Sequence, residues 1–186
     1  MIKLRDLLFE DIESHLRDRG IDPTRMGVIL DKKANIATFL LYNLSGQLVG
    51  YQQYNPAGSK KEHSKELSKY YNYISKTGTI SKLAVYGVET ISDRFPFIFL
   101  VEGVFDAAKI HNAGFPAIAV LSNNPKILRS WLFALRKKVY VVADNDAAGR
   151  ALAKFGDRAF TVPAPHKDLG DMSQEEATKF LKSIVK

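Results

Sequence analysis

Three acidic residues, Glu102, Asp144 and Asp146, stand where two short apolar runs end, and their type and spacing point to chemistry on a divalent cation. The run P-F-I-F-L-V ends on Glu102-Gly103, and K-V-Y-V-V-A ends on Asp144-Asn145-Asp146. A carboxylate at the end of a buried strand is costly unless it is paired or metal-bound. Asp144 and Asp146 lie two apart, so an extended segment points them the same way, toward the crevice beside Glu102. Three such acids with no adjacent base repel one another. A divalent cation resolves that repulsion, and an all-oxygen ligand set favours Mg²⁺ or Mn²⁺ over zinc. Asp106, one turn beyond Glu102, offers an outer ligand. Asp168 and Asp171, in K-D-L-G-D, supply two more carboxylates. Each acid alone has a plainer reading, because Asp and Glu are common at helix N-termini. The conjunction is much less common.

The elements that must position these acids follow from the pattern around them. Both runs are β-branched or aromatic and lack period-2 alternation, as strands buried on both faces do. The spacing predicts strand 97–101, helix 104–113 with Gly114 as its C-cap, and strand 117–121. The turn Ser122-Asn123-Asn124-Pro125 then leads to helix 126–136, strand 138–143, helix 147–155 and strand 158–162. After P-A-P-H-K-D-L-G-D-M, Ser173 and Glu176 form a capping box that opens a last helix running to about Ile184. Right-handed crossovers make this an α/β unit, a mostly parallel sheet with helices on both faces. Its acids fall at the C-terminal strand ends, where open α/β sheets place their ligand sites.

Upstream the pattern changes. Residues 3–19 read as an amphipathic helix with Leu4, Leu7, Leu8, Ile12 and Leu16 on one stripe, ended by Gly20. Residues 27–54 read as an antiparallel meander with turns at 31–35 and 43–46. Residues 59–82 are polar, rich in Lys and Tyr, and without an apolar face. They read as a solvated or ligand-ordered connection with a short helix. Within it Lys60, Lys61, Lys65 and Lys69 are candidates for nucleic-acid phosphates, and Tyr70, Tyr71 and Tyr73 for base stacking. Packing against the sheet is the plainer role for those rings. The expected division is a small helix and antiparallel-strand unit over 1–82 and an α/β unit over 83–186.

Composition sets outer bounds. With 186 residues, 46% of them apolar and 25% charged, the chain can bury a core like an ordinary globular protein. The net charge of +7 is concentrated in residues 51–82, where six Lys face two Glu, which suggests a polyanionic partner. There is no cysteine, so disulfide frameworks and thiolate metal sites are excluded, and a reducing compartment fits. No apolar run nears 18 residues and acidic residues come too early for a signal peptide. A cytoplasmic protein without a membrane partner is therefore expected.

The pieces F-L-V-E-G-V-F-D-A-A-K-I-H-N-A-G-F and V-Y-V-V-A-D-N-D-A-A-G-R-A resemble the two signature motifs of the TOPRIM domain, shared by topoisomerases, bacterial-type DNA primases, some nucleases and recombination proteins. The family glutamate falls on Glu102, followed by Gly103, its helix aspartate on Asp106, and its D-x-D pair on Asp144 and Asp146. Ala148-Gly149-Arg150 is similar to the primase form of the second motif. H-K-D-L-G-D resembles the primase lysine–aspartate loop and implies that Lys167, Asp168 and Asp171 lie near the metals. Upstream, L-R-D-R-G-I, G-Q-L-V-G-Y-Q-Q-Y-N-P and L-A-V-Y-G are similar to parts of the primase polymerase core. The chain departs from the family at Ser122-Asn123, where bacterial primases usually carry Gly-Thr. It also shows no counterpart of the zinc-binding module or of a helicase segment.

The resemblance implies a TOPRIM fold and metal-dependent phosphoryl chemistry on nucleic acid in a bacterial or phage-infected cell. Its first form is ribonucleotide polymerisation on single-stranded DNA, a primase-like nucleotidyl transfer. Glu102, Asp144 and Asp146 are then the catalytic metal carboxylates, supported by Asp106, Asp168 and Asp171. Lys167 and Arg150 contact nucleotide phosphates, and a separate helicase or zinc-module protein is a further partner. Two alternatives use the same residues differently. A TOPRIM nuclease would activate water at those carboxylates, and a replication accessory protein would bind nucleic acid without turnover.

Overall fold

The computed structural model describes residues 11–75, 84–122 and 125–185. Its first helix, α1 (Ile12–Asp18), is capped by Asp11, whose side chain accepts the Glu13 N–H. The helix ends in a Schellman turn: Ile21 N–H reaches Leu16 O, Gly20 N–H reaches Arg17 O, and Gly20 takes φ +79°. The helix expected over 3–19 is thus short in its described part. Leu4, Leu7 and Leu8 lie outside the described residues, while Ile12 and Leu16 are buried.

Four strands follow, β1 (Ile29–Asp31), β2 (Ile36–Tyr42), β3 (Leu48–Tyr54) and β4 (Tyr70–Ile74), in the spatial order β1-β2-β3-β4. Along β2 the side chains alternate, with Ala37, Phe39 and Leu41 fully buried and their neighbours half-buried. The sequence pattern does not announce β4. Residues 59–67, part of the stretch expected as a solvated connection, are exposed, and they belong to a closed loop over 55–69 in which Asn55 N–H bonds Lys69 O and Ser59 N–H bonds Leu67 O. Tyr70–Ile74 then pairs beside β3 where a short helix was expected.

The second sheet contains β5 (Phe97–Val101), β6 (Ala117–Ala119), β7 (Lys138–Ala143) and β8 (Arg158–Thr161), all parallel, in the order β6-β5-β7-β8. Helices α2 (Val104–Asn112), α3 (Arg129–Ala134), α4 (Ala147–Leu152) and α5 (Gln174–Ile184) connect and flank it. Ile98, Leu100, Val139, Val141 and Ala143 form one buried face with Leu128, Leu132 and Leu152 from the α3 and α4 side. On the other, α2 packs against β5, β6 and α5. The architecture is therefore the expected one, an antiparallel subdomain and a parallel sheet flanked by helices. Three elements differ clearly in extent, among them the helix expected over 147–155, which is α4 followed by a 3-10 turn at Ala153–Phe155. The helix expected over 126–136 divides into a 3-10 turn at Lys126–Leu128 and a six-residue α3, and the strand at 117–121 ends at Ala119.

By contact density the chain divides into two compact units. One comprises the described residues up to Leu40 with Tyr51–Tyr73, and the other Leu41–Gly50 with Ile74–Lys186. No described helix is long and apolar enough to cross a membrane.

Candidate active site

The parallel pairing of β5 with β7 decides the geometry of the acids. Leu100 lies beside Val141, so the two strands run out together, and Glu102 and Asp144 follow their ends. Gly103 is the N-cap of α2 and Asp146 the N-cap of α4, where its carboxylate accepts the Gly149 N–H at 2.9 Å. A third wall comes from the loop after β8. Asp168 caps the 3-10 turn Leu169–Asp171 and accepts the Asp171 N–H at 3.0 Å. Asn145 N–H donates to Lys167 O at 2.8 Å, joining this loop to the Asp144–Asp146 segment.

Asp106 holds the walls together. It is buried, and its two oxygens accept one backbone N–H each, from Gly103 at 3.2 Å and from Gly170 at 2.8 Å. The turn after Glu102 is thereby tied to the Lys167–Asp171 loop, 64 residues later. Such a carboxylate acts as a strut between two peptide segments, a role its position on α2 alone does not reveal.

The electrostatics show how closely the acids crowd. Burial, followed by the charge of Asp146, raises the Glu102 carboxyl above its ordinary range, and Lys167 opposes the shift. Burial pushes Asp144 up to about 6, reinforced by Asp168, Glu102 and Asp146 and again opposed by Lys167. Asp106 is pushed to about 7 by burial, then by Asp168 and Asp144, against the two N–H bonds that favour its anion. Glu102, Asp106, Asp144, Asp146 and Asp168 thus share one electrostatic neighbourhood, with Lys167 as the cation that moderates it.

A stability prediction follows from these shifts. Between about pH 4, where an unfolded aspartate ionises, and about pH 7, the folded chain keeps protons on Asp106 that the unfolded chain has released. The folded state therefore binds more protons in this window, and metal-free stability falls as pH rises through it. Each such group contributes a slope of at most about 1.4 kcal/mol per pH unit. Denaturant melts from pH 4 to 8 without divalent cations should show this decline, levelling off above pH 7. Asp106→Asn should flatten it, while losing one of the two N–H acceptors.

The donor set suits a hard divalent cation: among the described residues the side chains that crowd the site are carboxylates, and Lys167 is the counter-charge that acts on them. As the side chains stand, no three His, Asp or Glu among the described residues are close enough to hold one ion. The expectation that three carboxylates converge on a single point is therefore not met in this arrangement. Like charges that repel, as Glu102, Asp144 and Asp146 do, lower their energy by standing apart. Asp171 is exposed and enters the site through its backbone N–H rather than its carboxylate. Lys167 is exposed, and so is Arg150 on α4.

The other unit carries a cationic cluster. Lys69 is half-buried, and burial, followed by the charges of Lys60 and Arg19, lowers its pKa below the usual lysine range. Lys60 and Arg19 thus lie close enough to Lys69 for their charges to act on it. Arg19 also lies over the Tyr54 ring at 5.9 Å and donates to its hydroxyl at 3.4 Å, while Tyr54 packs against Tyr70 at 5.3 Å. Lys61 and Lys65 are exposed on the same closed loop as Lys60. Arg19 and Tyr54 are absent from the sequence-based candidates, because nothing local marks residues 50 and 15 positions before Lys69 as its neighbours.

No protein-family model matches this chain, and no curated protein sequence does. Solved structures do. The zinc-binding and RNA polymerase domains of the Aquifex aeolicus primase superpose with a TM-score of 0.70 at 18% identity, over 96% of this chain and 56% of that one. The primase fragment of the bacteriophage T7 primase-helicase protein gives 0.63 at 14% identity, over 92% and 73%. The RNA polymerase domain of Mycobacterium tuberculosis primase DnaG gives 0.60 at 18%, over 98% and 64%. The chain has the primase polymerase-domain fold. Nearly all of it is taken up by that fold, while it spans little more than half the length of the Aquifex structure. The parallel sheet with its strand-end acids is the TOPRIM part of the primase fold, and the antiparallel sheet precedes it. At these identities the likeness speaks for the fold; the chemistry rests on the residues.

Proposed function

We propose that this protein is a primase-like nucleotidyltransferase that joins ribonucleotides on a single-stranded DNA template. The observation that carries this is the mutual electrostatic coupling of Glu102, Asp144, Asp146 and Asp168 at the strand ends of a primase-type sheet. Glu102, Asp144 and Asp146 would hold Mg²⁺ or Mn²⁺, with Asp168 beside them. Bound there, the ion supplies neutralisation of the charge that develops on a transferring phosphoryl group.

The chain's own residues do the rest. Lys167, held by its backbone to Asn145, offers an ammonium to the nucleotide phosphates at the rim of the acids. Arg150 lies exposed on α4, available to the same anion. Asp106 and Asp171 keep the Lys167–Asp171 loop in shape through backbone bonds. Arg19, Lys60 and Lys69 offer a cluster of cations to a phosphate, and an anion there offsets the burial and the repulsion that lower the Lys69 pKa. Lys61 and Lys65 add to the field that attracts the strand. A helicase partner belongs to this proposal as well, the T7 relative being part of a primase-helicase protein.

The test is an incubation with single-stranded DNA, labelled ribonucleoside triphosphates and Mg²⁺ or Mn²⁺, with products resolved by length. New extension products that disappear in Asp144→Ala are the expected result. Shortened input strands would identify a nuclease instead, and retarded strands without new products an accessory binder. Within the same assay, Lys69→Ala should weaken strand or nucleotide binding roughly tenfold at moderate salt. It should also lower the salt dependence by about one phosphate contact, measured by anisotropy across a salt series.

A further inference from the structure

The antiparallel sheet turns one face to α1, the other carries the exposed Tyr73, and the register sorts its tyrosines between them. Gln52 Nε2 donates to Asn72 Oδ1 at 2.8 Å, and Tyr54 packs on Tyr70, so Gln52 and Tyr54 of β3 stand opposite Asn72 and Tyr70 of β4. Tyr54 and Gln52 are buried on the α1 side, where His15 of α1 meets the Tyr54 hydroxyl at 2.9 Å. The alternate residues project the other way. Tyr51 and Tyr73 are cross-strand partners there, stacked at 5.2 Å with 24° between their planes, and Gln53 stands opposite Tyr71. Tyr70, one of the sequence candidates for stacking, is thereby committed to the interior side.

We propose that the face formed by Tyr51, Gln53, Tyr71 and Tyr73 is a base-stacking platform for single-stranded nucleic acid. Tyr73 is 48% exposed, although a stacked ring in an ordinary sheet would be covered, so its outer π-face is free to take a base. Charge favours the same occupant. The closed loop that runs directly into β4 carries Lys60, Lys61, Lys65 and Lys69 against Glu62 and Glu66, and among the described residues of the four strands the one acid on this face is Asp31 on the far edge strand, capped by the Ala34 N–H. An aromatic sheet face beside a basic loop binds strands by stacking bases and tracking phosphates together. This rests on the reading that the protein works on single-stranded nucleic acid, and it assigns the bases to a surface distinct from the Arg19–Lys69 cluster.

Two labelled probes of equal length, oligo-dT and an abasic oligomer with the same phosphates, separate stacking from charge. Wild type should bind oligo-dT roughly tenfold or more tighter than the abasic strand. Tyr73→Ala and Tyr71→Ala should erase that ratio with little change in salt slope, while Tyr73→Phe should keep it. Lys69→Ala should lower the salt slope and keep the ratio. Binding of both probes without preference by wild type would overturn the platform alone, whereas binding of neither would overturn the functional reading beneath it. An undiminished ratio in folded Tyr73→Ala would also overturn it, as would a self-association lost in that variant, which would assign the face to a second copy. Thermal melts of each variant establish that it is folded.

Discussion

Asp144→Asn is expected to abolish extension while making the metal-free protein more stable. The two effects have one cause. In the folded chain the Asp144 carboxyl is pushed to about 6 by burial and by Asp168, Glu102 and Asp146, so near pH 8 it is held ionised against its surroundings. The amide keeps the size of the side chain and removes that charge. After a discount for the part of the side chain that water still screens, relief of the repulsion should raise stability by about 1–2 kcal/mol, visible as a higher Tm at pH 8. The rate should fall at least roughly 100-fold, since even partners one shell removed from a metal cost 10- to 100-fold. Wild type should gain stability when Mg²⁺ or Mn²⁺ is added, and release protons as it binds, whereas Asp144→Asn should do little of either. Calorimetry in two buffers of different ionisation enthalpy reads the protons. A variant that loses both stability and activity would point to a packing role for Asp144.

Gly149→Ala should be the most damaging single methyl group in the chain. A Cβ at this position is driven into the Asp144 carbonyl oxygen and comes within 2.7 Å of the Asp144 nitrogen. Both obstacles are backbone at the end of β7, so no side chain can swing aside. The change should cost about 3 kcal/mol or more, at the upper end of ordinary overpacking. Because α4 begins here, with Gly149 N–H on the Asp146 carboxylate, any relief by backbone shift moves Asp144 and Asp146 together. Loss of Mn²⁺ binding should therefore accompany the fall in Tm. Gly114→Ala is the contrast. It meets open space within 4 Å and is strained only by φ +85°, so about 1 kcal/mol and an unaltered site are expected.

What the chain discloses before folding depends on how far apart the cooperating residues lie. Strands Phe97–Val101 and Lys138–Ala143 coincide with the apolar runs, since burial on both faces leaves an uninterrupted signature. Both bonds of the Ser173–Glu176 capping box are formed, because a cap is settled within four consecutive residues. Strand β4 escaped because Y-Y-N-Y-I has no alternation: an edge strand with both faces partly exposed needs none. The strut made by Asp106 could not be read at all, since its second partner, Gly170, is remote in sequence and donates only a backbone N–H. The same holds for Arg19 beside Lys69, a pairing created by the fold and by no local pattern.

The latch between Asn145 and Lys167, with the bond from Gly170 to Asp106, has a consequence for how the protein is made. The acids come from three well-separated stretches, and the last supplies both peptide groups that fasten the other two. A chain emerging from the ribosome N-terminus first can form β5, α2 and β7 early, yet Glu102 and Asp144 then face each other with the latch still unsynthesised. The acidic centre is thus timed by translation: it closes only after Gly170 has emerged, so a nascent chain carries the acids well before it carries the finished site.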